Sequence, residues 1–266
     1  MKTLFQHKQP FKLGRNRPIA RGPRFRLANY LKQSIPPPPD SVDYASAAAG
    51  PLSQMYDNDA LGDCVIACMG HIEGVFTGNV INPPLILPDS EIIALYSAIG
   101  GYVPGDPSTD NGCDEQTALN YWQQNGLVSG RNKITAWMGV DGHNLTEVRT
   151  AIWLFENLMF GVDLPDSWVN PMPSASGFWW GTGGAPDPNN GHCFAAVGYT
   201  PGGVQISTWG MLGNITHGAI KKYTTTKGQG ELYCVLSEDA ISRATLKAPN
   251  GFDFDQLKRD LVAMAG

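Results

Sequence analysis

Residues 58–76 read NDALGDCVIACMGHIEGVF. Apolar side chains fall at 65, 66, 69, 72, 75 and 76, with cysteines at 64 and 68. That spacing predicts a helix apolar over most of its circumference, and therefore a buried one. Asp63 or Asp59 stands where an N-cap belongs. Cys64 then lies in the first turn, where the positive end of the helix dipole favours a thiolate. A small buried thiol also serves simply to fill a core.

Three more helices follow from the same pattern. DSEIIALYSAIG (89–100) has Asp89 or Ser90 as cap, and DEQTALNYWQQNG (114–126) stops at Asn125-Gly126. NLTEVRTAIWLFEN (144–157) carries Asn144 and Glu147 at capping-box spacing. From residue 158 the pattern changes. LMFGVDL (158–164), HCFAAVGYT (192–200), GVQISTWG (203–210), HGAIKKYTT (217–225) and ELYCVLS (231–237) read as short strands between Gly and Pro turns. Helices first and strands second predict an α+β fold of two lobes, helical over about 40–155 and β-rich over about 156–245. An amphipathic helix over about 252–265 closes the chain.

The N-terminal 39 residues differ from this body of residues 40–266. They carry nine Lys or Arg and no acid, whereas the body carries ten bases and all 24 acids. The prolines at 36–39 favour a stiff polyproline stretch and mark the boundary. One short amphipathic turn is expected at Phe25–Lys32 and a short extended piece at Val42–Tyr44. We read 1–39 as an extended arm that lies on the acidic body or on a neighbouring subunit. It lacks regularly interleaved aromatics, so nucleic acid is not the expected partner. It has no 7–15-residue apolar stretch, so it does not read as a secretory signal. No 18-residue apolar run exists to span a membrane. The five cysteines are odd in number and scattered, which predicts reduced thiols rather than a disulfide framework. An intracellular or virion location is therefore expected.

The second chemical element is GHCFAAVGY (191–199), which puts His192 at the head of an alternating strand behind a Gly-rich loop. A second strand ends in the Ser-Thr-Trp-Gly turn at 207–210. The order Cys64, His192, Trp209-Gly210 resembles the papain-like cysteine peptidases, with Cys64 and His192 separated by 128 residues. PPDSVDY (38–44), NGCDEQTALNYWQQNGL (111–127), NLTEVRTAIWLFENLMFGVDL (144–164) and GVQISTWGMLGNITHGAIKKY (203–223) resemble that family's segments in the same order. The basic Pro-rich arm before NDALGDC is similar to that of papain-like proteins of bacteria and their phages.

The resemblance implies a papain-like two-lobe fold with a cleft between the lobes. It implies Cys64 as nucleophile and His192 as base, then acid. Asn58 stands at the family's oxyanion glutamine, one methylene shorter. Ser207 stands at its His-orienting asparagine, and Trp209 is expected to shield the imidazole. Leu61 replaces the family's first cysteine, so Cys113 lacks its usual disulfide partner. Trp179 and Trp180, in WWGTGG (179–184), are read as a cleft wall that stacks on substrate or packs on the second lobe. Asp63 adds a negative charge that opposes thiolate formation.

Two functions from different classes follow. One is a hydrolase of peptide or isopeptide bonds. The other is a catalytically degenerate papain-fold structural or accessory protein, such as a phage particle component tethered by its arm. No cofactor is expected. Cys64, Cys68 and His71 share a helix face but find no fourth ligand by spacing, so no metal is expected either. His217 is read as the start of a strand, and His143 and His7 as surface residues.

Overall fold

The computed structural model describes residues 11–17, 25–81, 83–225 and 229–265. His7 lies outside them. The first described strand and α-helix are the short β1 (Val42–Asp43) and α1 (Ala49–Leu52). The helical lobe is α2 (Cys64–Gly78), α3 (Asp89–Gly100) and α4 (Glu115–Asn125). The β-rich part holds β2 (Ala136–Gly139), α5 (Leu145–Phe155), β3 (Leu158–Asp163), α6 (Asp166–Val169) and β4 (Trp179–Trp180). It continues through β5 (Gly191–Thr200), β6 (Gly203–Thr208), β7 (Met211–Ile215), α7 (His217–Tyr223) and β8 (Glu231–Leu236), and ends in α8 (Glu238–Lys247) and α9 (Phe254–Ala265).

The strands form one sheet in the order β2-β8-β3-β5-β6-β7-β4, with β1 paired on β5. Its central strand β5 is buried from Gly191 to Tyr199. Alternation along β5 splits the core in two, because successive strand side chains leave on opposite faces. Cys193, Ala195 and Val197 join α2, α3 and α4 in one cluster. Phe194 and Ala196 join α5, α7 and the aromatic residues Trp168, Trp180 and Trp209 in the other. The helix that carries Cys64 therefore packs on the odd-numbered face of β5.

The caps account for where helices begin. Asp114 Oδ1 accepts from Thr117 N at 3.0 Å, and Asn144 Oδ1 from Glu147 N at 3.2 Å, as the sequence predicts. The expected caps on α2 and α3 are absent: Asp63 makes no capping hydrogen bond, and Pro88 precedes α3 with Asp89 already in its first turn. Residues 217–223 are helix α7 rather than a strand. Thr216 caps it, and Ala219, Ile220 and Tyr223 bury one helical face. His217 is therefore a helix-terminal residue, and His143 is exposed.

The arm does not stay apart from the body. A 3₁₀ turn at Leu27–Asn29 fills the place of the expected amphipathic turn, and Leu27 and Tyr30 are buried in the core beside Phe252. Tyr30 Oη donates to Asp260 of α9 at 2.8 Å. All five cysteines are free and buried. No described helix is long and apolar enough to cross a membrane.

Candidate active site

Cys64 opens α2 beneath the start of β5, and its side chain is buried. Burial raises the thiol to about 12, against the opposing pull of the Cys193 and Gly14 backbone N–H groups. Asp63 is fully buried, and neither carboxylate oxygen has a hydrogen-bond partner. Burial pushes its pKa well up, which favours the neutral acid and weakens its repulsion of a thiolate. The Asn58 amide stands near enough to weigh against that rise. Its hydrogen bond goes to the Leu61 carbonyl, at 3.0 Å, which keeps Nδ2 within its own loop.

His192 is fully buried at the head of β5, and burial lowers its pKa to about 3. Its Nε2 meets Thr208 Oγ1 at 2.6 Å, while Nδ1 is buried without a hydrogen-bond partner. Cys64 and His192 thus meet opposite faces of the start of β5, Cys64 on the Cys193 side and His192 on the Phe194 and Trp209 side, and no hydrogen bond joins them.

The side chain in contact with the imidazole is Thr208, and Ser207 is turned away from it. Ser207 pairs with Ala195 across the sheet, faces the helical lobe, and donates to the Leu52 carbonyl at 3.2 Å. One step along a strand reverses the face, so Thr208 takes the contact expected of its neighbour. Trp209 and Gly210 form the two-residue β6–β7 turn with φ of 49° and 65°. Positive φ at both positions is the geometry of a tight hairpin turn. That turn folds the indole back onto His192, with centroids 4.1 Å apart and planes 18° apart. Trp209 therefore covers the imidazole as expected.

The tryptophan pair divides. Trp180 is buried and stacks on Trp168 at 4.7 Å, so it belongs to the core rather than to a cleft wall. Trp179 is exposed and lies over the β5–β6 turn. Of the three residues on the α2 face, His71 Nε2 lies 3.0 Å from the Gln54 carbonyl, and Cys68 lies against Cys193.

The groove between Cys64 and β5 is filled by residues 11–17 of the chain's own arm. Lys12 N donates to Asn58 O at 2.9 Å, Arg15 N to Gly191 O at 3.1 Å and Asn16 N to Cys113 O at 2.9 Å. Cys113 N returns a bond to Gly14 O at 3.1 Å. Gly14 passes between Gly62 and Gly112 so closely that a Cβ on Gly14 would collide with the Gly62 carbonyl, and one on Gly112 with the Gly14 carbonyl. Phe11 stacks on Trp209 at 5.3 Å, and the Trp209 indole N–H donates to Lys12 O at 3.2 Å. Arg15 inserts a fully buried guanidinium among Glu115, Asp163 and Glu231.

Neither a family model nor a curated protein matches the chain by sequence. Solved structures do. Xylellain, a cysteine protease from Xylella fastidiosa, superposes with a TM-score of 0.59 at 15% identity, over 88% of this chain and 99% of its own. The chain has the papain-like fold.

Digestive procathepsin L2 of Tenebrio molitor gives 0.56 at 12% identity, over 86% of this chain and 79% of its own. The Carica candamarcensis cysteine protease CMS1MS2, in complex with E-64, gives 0.51 at 17%, over 75% and 99%. At these identities the likeness is one of fold. In this papain-like frame the sequence singled out the Cys64 helix, the histidine strand and the tryptophan turn. It missed Thr208 and the whole groove-filling segment. The only sequence signal for the latter was a glycine followed by an arginine, at 14–15, inside an acid-free arm.

Proposed function

We propose that this chain is a cysteine hydrolase of peptide or isopeptide bonds, held latent by residues 11–17 of its own arm. One observation carries the reading. The groove beside Cys64 binds an extended main chain through four backbone hydrogen bonds. A groove of that kind recognises peptide backbone irrespective of most side chains.

In the open form Cys64 attacks the carbonyl carbon, and His192 Nδ1 receives the thiol proton. Thr208 holds Nε2, and Trp209 keeps water from that contact. The thiolate and imidazolium then form together, each stabilising the other. His192 returns the proton to the leaving amine, and water later releases the acyl group. The backbone N–H of Cys64 and the Asn58 amide, once turned from Leu61, hold the oxyanion. With the arm seated, burial keeps thiol and imidazole neutral, and Gly14 stands where a substrate backbone belongs.

A second reading, a permanently closed structural or accessory module such as a phage particle component, is favoured by the buried Arg15 network. Both readings have one discriminating experiment. Full-length protein and its Arg15→Ala variant are assayed against a quenched-fluorescent peptide library. The hydrolase reading expects turnover in the variant, little in the parent, and none after Cys64→Ser. A folded variant with a labile arm and no turnover supports the structural reading instead.

A further inference from the structure

The pocket that holds Arg15 is built around that one side chain. Its guanidinium uses donors in three directions. Nε meets Glu115 Oε1 at 2.7 Å, Nη1 meets Asp163 Oδ1 at 3.4 Å, and Nη2 meets Glu231 Oε1 at 3.1 Å and the Gln229 carbonyl at 3.0 Å. The acids come from three separate elements, the starts of α4 and β8 and the end of β3. Their side chains are 0%, 2% and 11% exposed, so the charge is concentrated where water screens it little.

The floor is also shaped. A Cβ at Gly161 would collide with both Glu115 Oε1 and Arg15 Nε, so only glycine leaves room for the planar group. Outside, Tyr233 Oη donates to Glu231 Oε2, with Gln116 Nε2 3.4 Å from the same oxygen, which fixes that carboxylate. Arg17 meets the second oxygen of Asp163 at 3.1 Å, at the rim. Nothing in this arrangement needs the arginine to belong to the arm. An ammonium is one point charge and cannot reach three acids and a carbonyl in fixed directions, whereas a guanidinium can.

We infer that this pocket is an arginine-selective subsite of the groove, in which a substrate's arginine takes the place of Arg15 and sets the cut one or two residues away, at Cys64. The inference rests on the hydrolase reading above, and it adds the substrate class: peptides with arginine next to the residue that passes Cys64. Gly14 neighbours Arg15 and passes against Gly62, two residues before Cys64, which fixes that distance along the chain. The three acids serve the seated arm and the substrate alike, so an arginyl peptide also competes with the arm for the groove.

The test uses the full chain carrying Arg15→Ala, with Gly14→Ala as a second arm-displacing variant that leaves every charge in place. Quenched peptides Ala-Ala-X-Gly-Ala-Ala and Ala-Ala-Gly-X-Ala-Ala, with X as Arg, Lys, citrulline or Leu, cover both chain directions. We expect kcat/KM for arginine to exceed that for lysine and citrulline at least tenfold in one of the two orders. Adding Glu231→Gln should shrink the preference through KM. Hydrolysis at equal rates for all X overturns the subsite and leaves the hydrolase reading standing. Absence of any hydrolysis defeats the hydrolase reading, and the pocket is then judged on binding alone. Millimolar ethylguanidinium should raise the Tm of Arg15→Ala, and ethylammonium at equal ionic strength should not. Equal effects of the two cations, or none, overturn the pocket.

Discussion

Replacing Gly14 with alanine tests the seated arm at its tightest point. The added Cβ meets main-chain atoms of Gly62, which cannot swing aside as a side chain would. Gly62 N is itself tied to Asp110 Oδ1 at 2.9 Å, just before the rigid start of α2. Overpacking of this kind costs roughly 1–3 kcal/mol, and a backbone obstacle belongs at the upper end. Relief comes from unseating the arm, which gives up four main-chain hydrogen bonds worth about 1 kcal/mol net each. The arm therefore shifts toward the open form by a factor of roughly 10–100. Cys64 is shielded by the arm, so its alkylation by a neutral reagent should accelerate by about that factor. Peptide-resolved mass spectrometry reads it, with Cys68, Cys193 and Cys234 as internal references, all packed in the core. Lys12→Ala is the control: its side chain is exposed and its contacts to Asn58 and Trp209 are made by the main chain. A folded Gly14→Ala protein whose Cys64 reacts at the parental rate refutes the reasoning.

Other consequences follow from the site and the core. In an arm-displaced background, Thr208→Val should lower kcat tenfold or more with little change in KM, and cost about 1–3 kcal/mol in denaturant melts, because His192 Nε2 is left buried and unpaired. Ser207→Ala should leave kcat near parental, since Ser207 bonds only the Leu52 carbonyl. Burial raises Glu73 to about 7, against the pull of the Asn132 amide. A raised carboxyl binds its proton more tightly folded than unfolded, so its contribution is fully present below about 4.5 and is lost as pH rises to about 7. Glu73→Gln should thus match the parent below pH 4.5 and exceed it by on the order of 3 kcal/mol at pH 8, read from denaturant midpoints. Phe11→Ala should speed Cys64 alkylation modestly, by loss of the stack on Trp209.

What the sequence made legible was local. Helix α2 was readable because its apolar positions recur at helical spacing, and α4 and α5 because Asp114 and Asn144 cap them. β5 was readable from alternation, and its position in the chain order put His192 at its head. The helix α7 was read as a strand because GAIK alone has no clear period. Thr216, one residue upstream, decides it by capping. Helix α8, capped by Ser237, went unnoticed because it is largely polar, with only Ala240 and Ala244 buried. The choice between Ser207 and Thr208 turns on which face of β6 meets His192. A motif alignment anchored on Trp209 gives order but not face. The Arg15 site was illegible for a different reason. Its acids lie 100, 148 and 216 residues away, and only the packing of α4 beside β3 and β8 brings them together. A basic arm read by charge alone looks like a solvated tether. A glycine thin enough to pass Gly62, followed by an arginine, makes it an occupant of the groove.

The central claim is that Cys64 and His192 form a working pair once the arm leaves. A peptidyl vinyl sulfone with arginine and glycine in its recognition arm tests it by intact mass. The account predicts one adduct, on Cys64, in the Arg15→Ala chain, little in the parent, and loss of the adduct on adding His192→Ala. A folded Arg15→Ala chain that stays unmodified, or that reacts equally after His192→Ala, contradicts it.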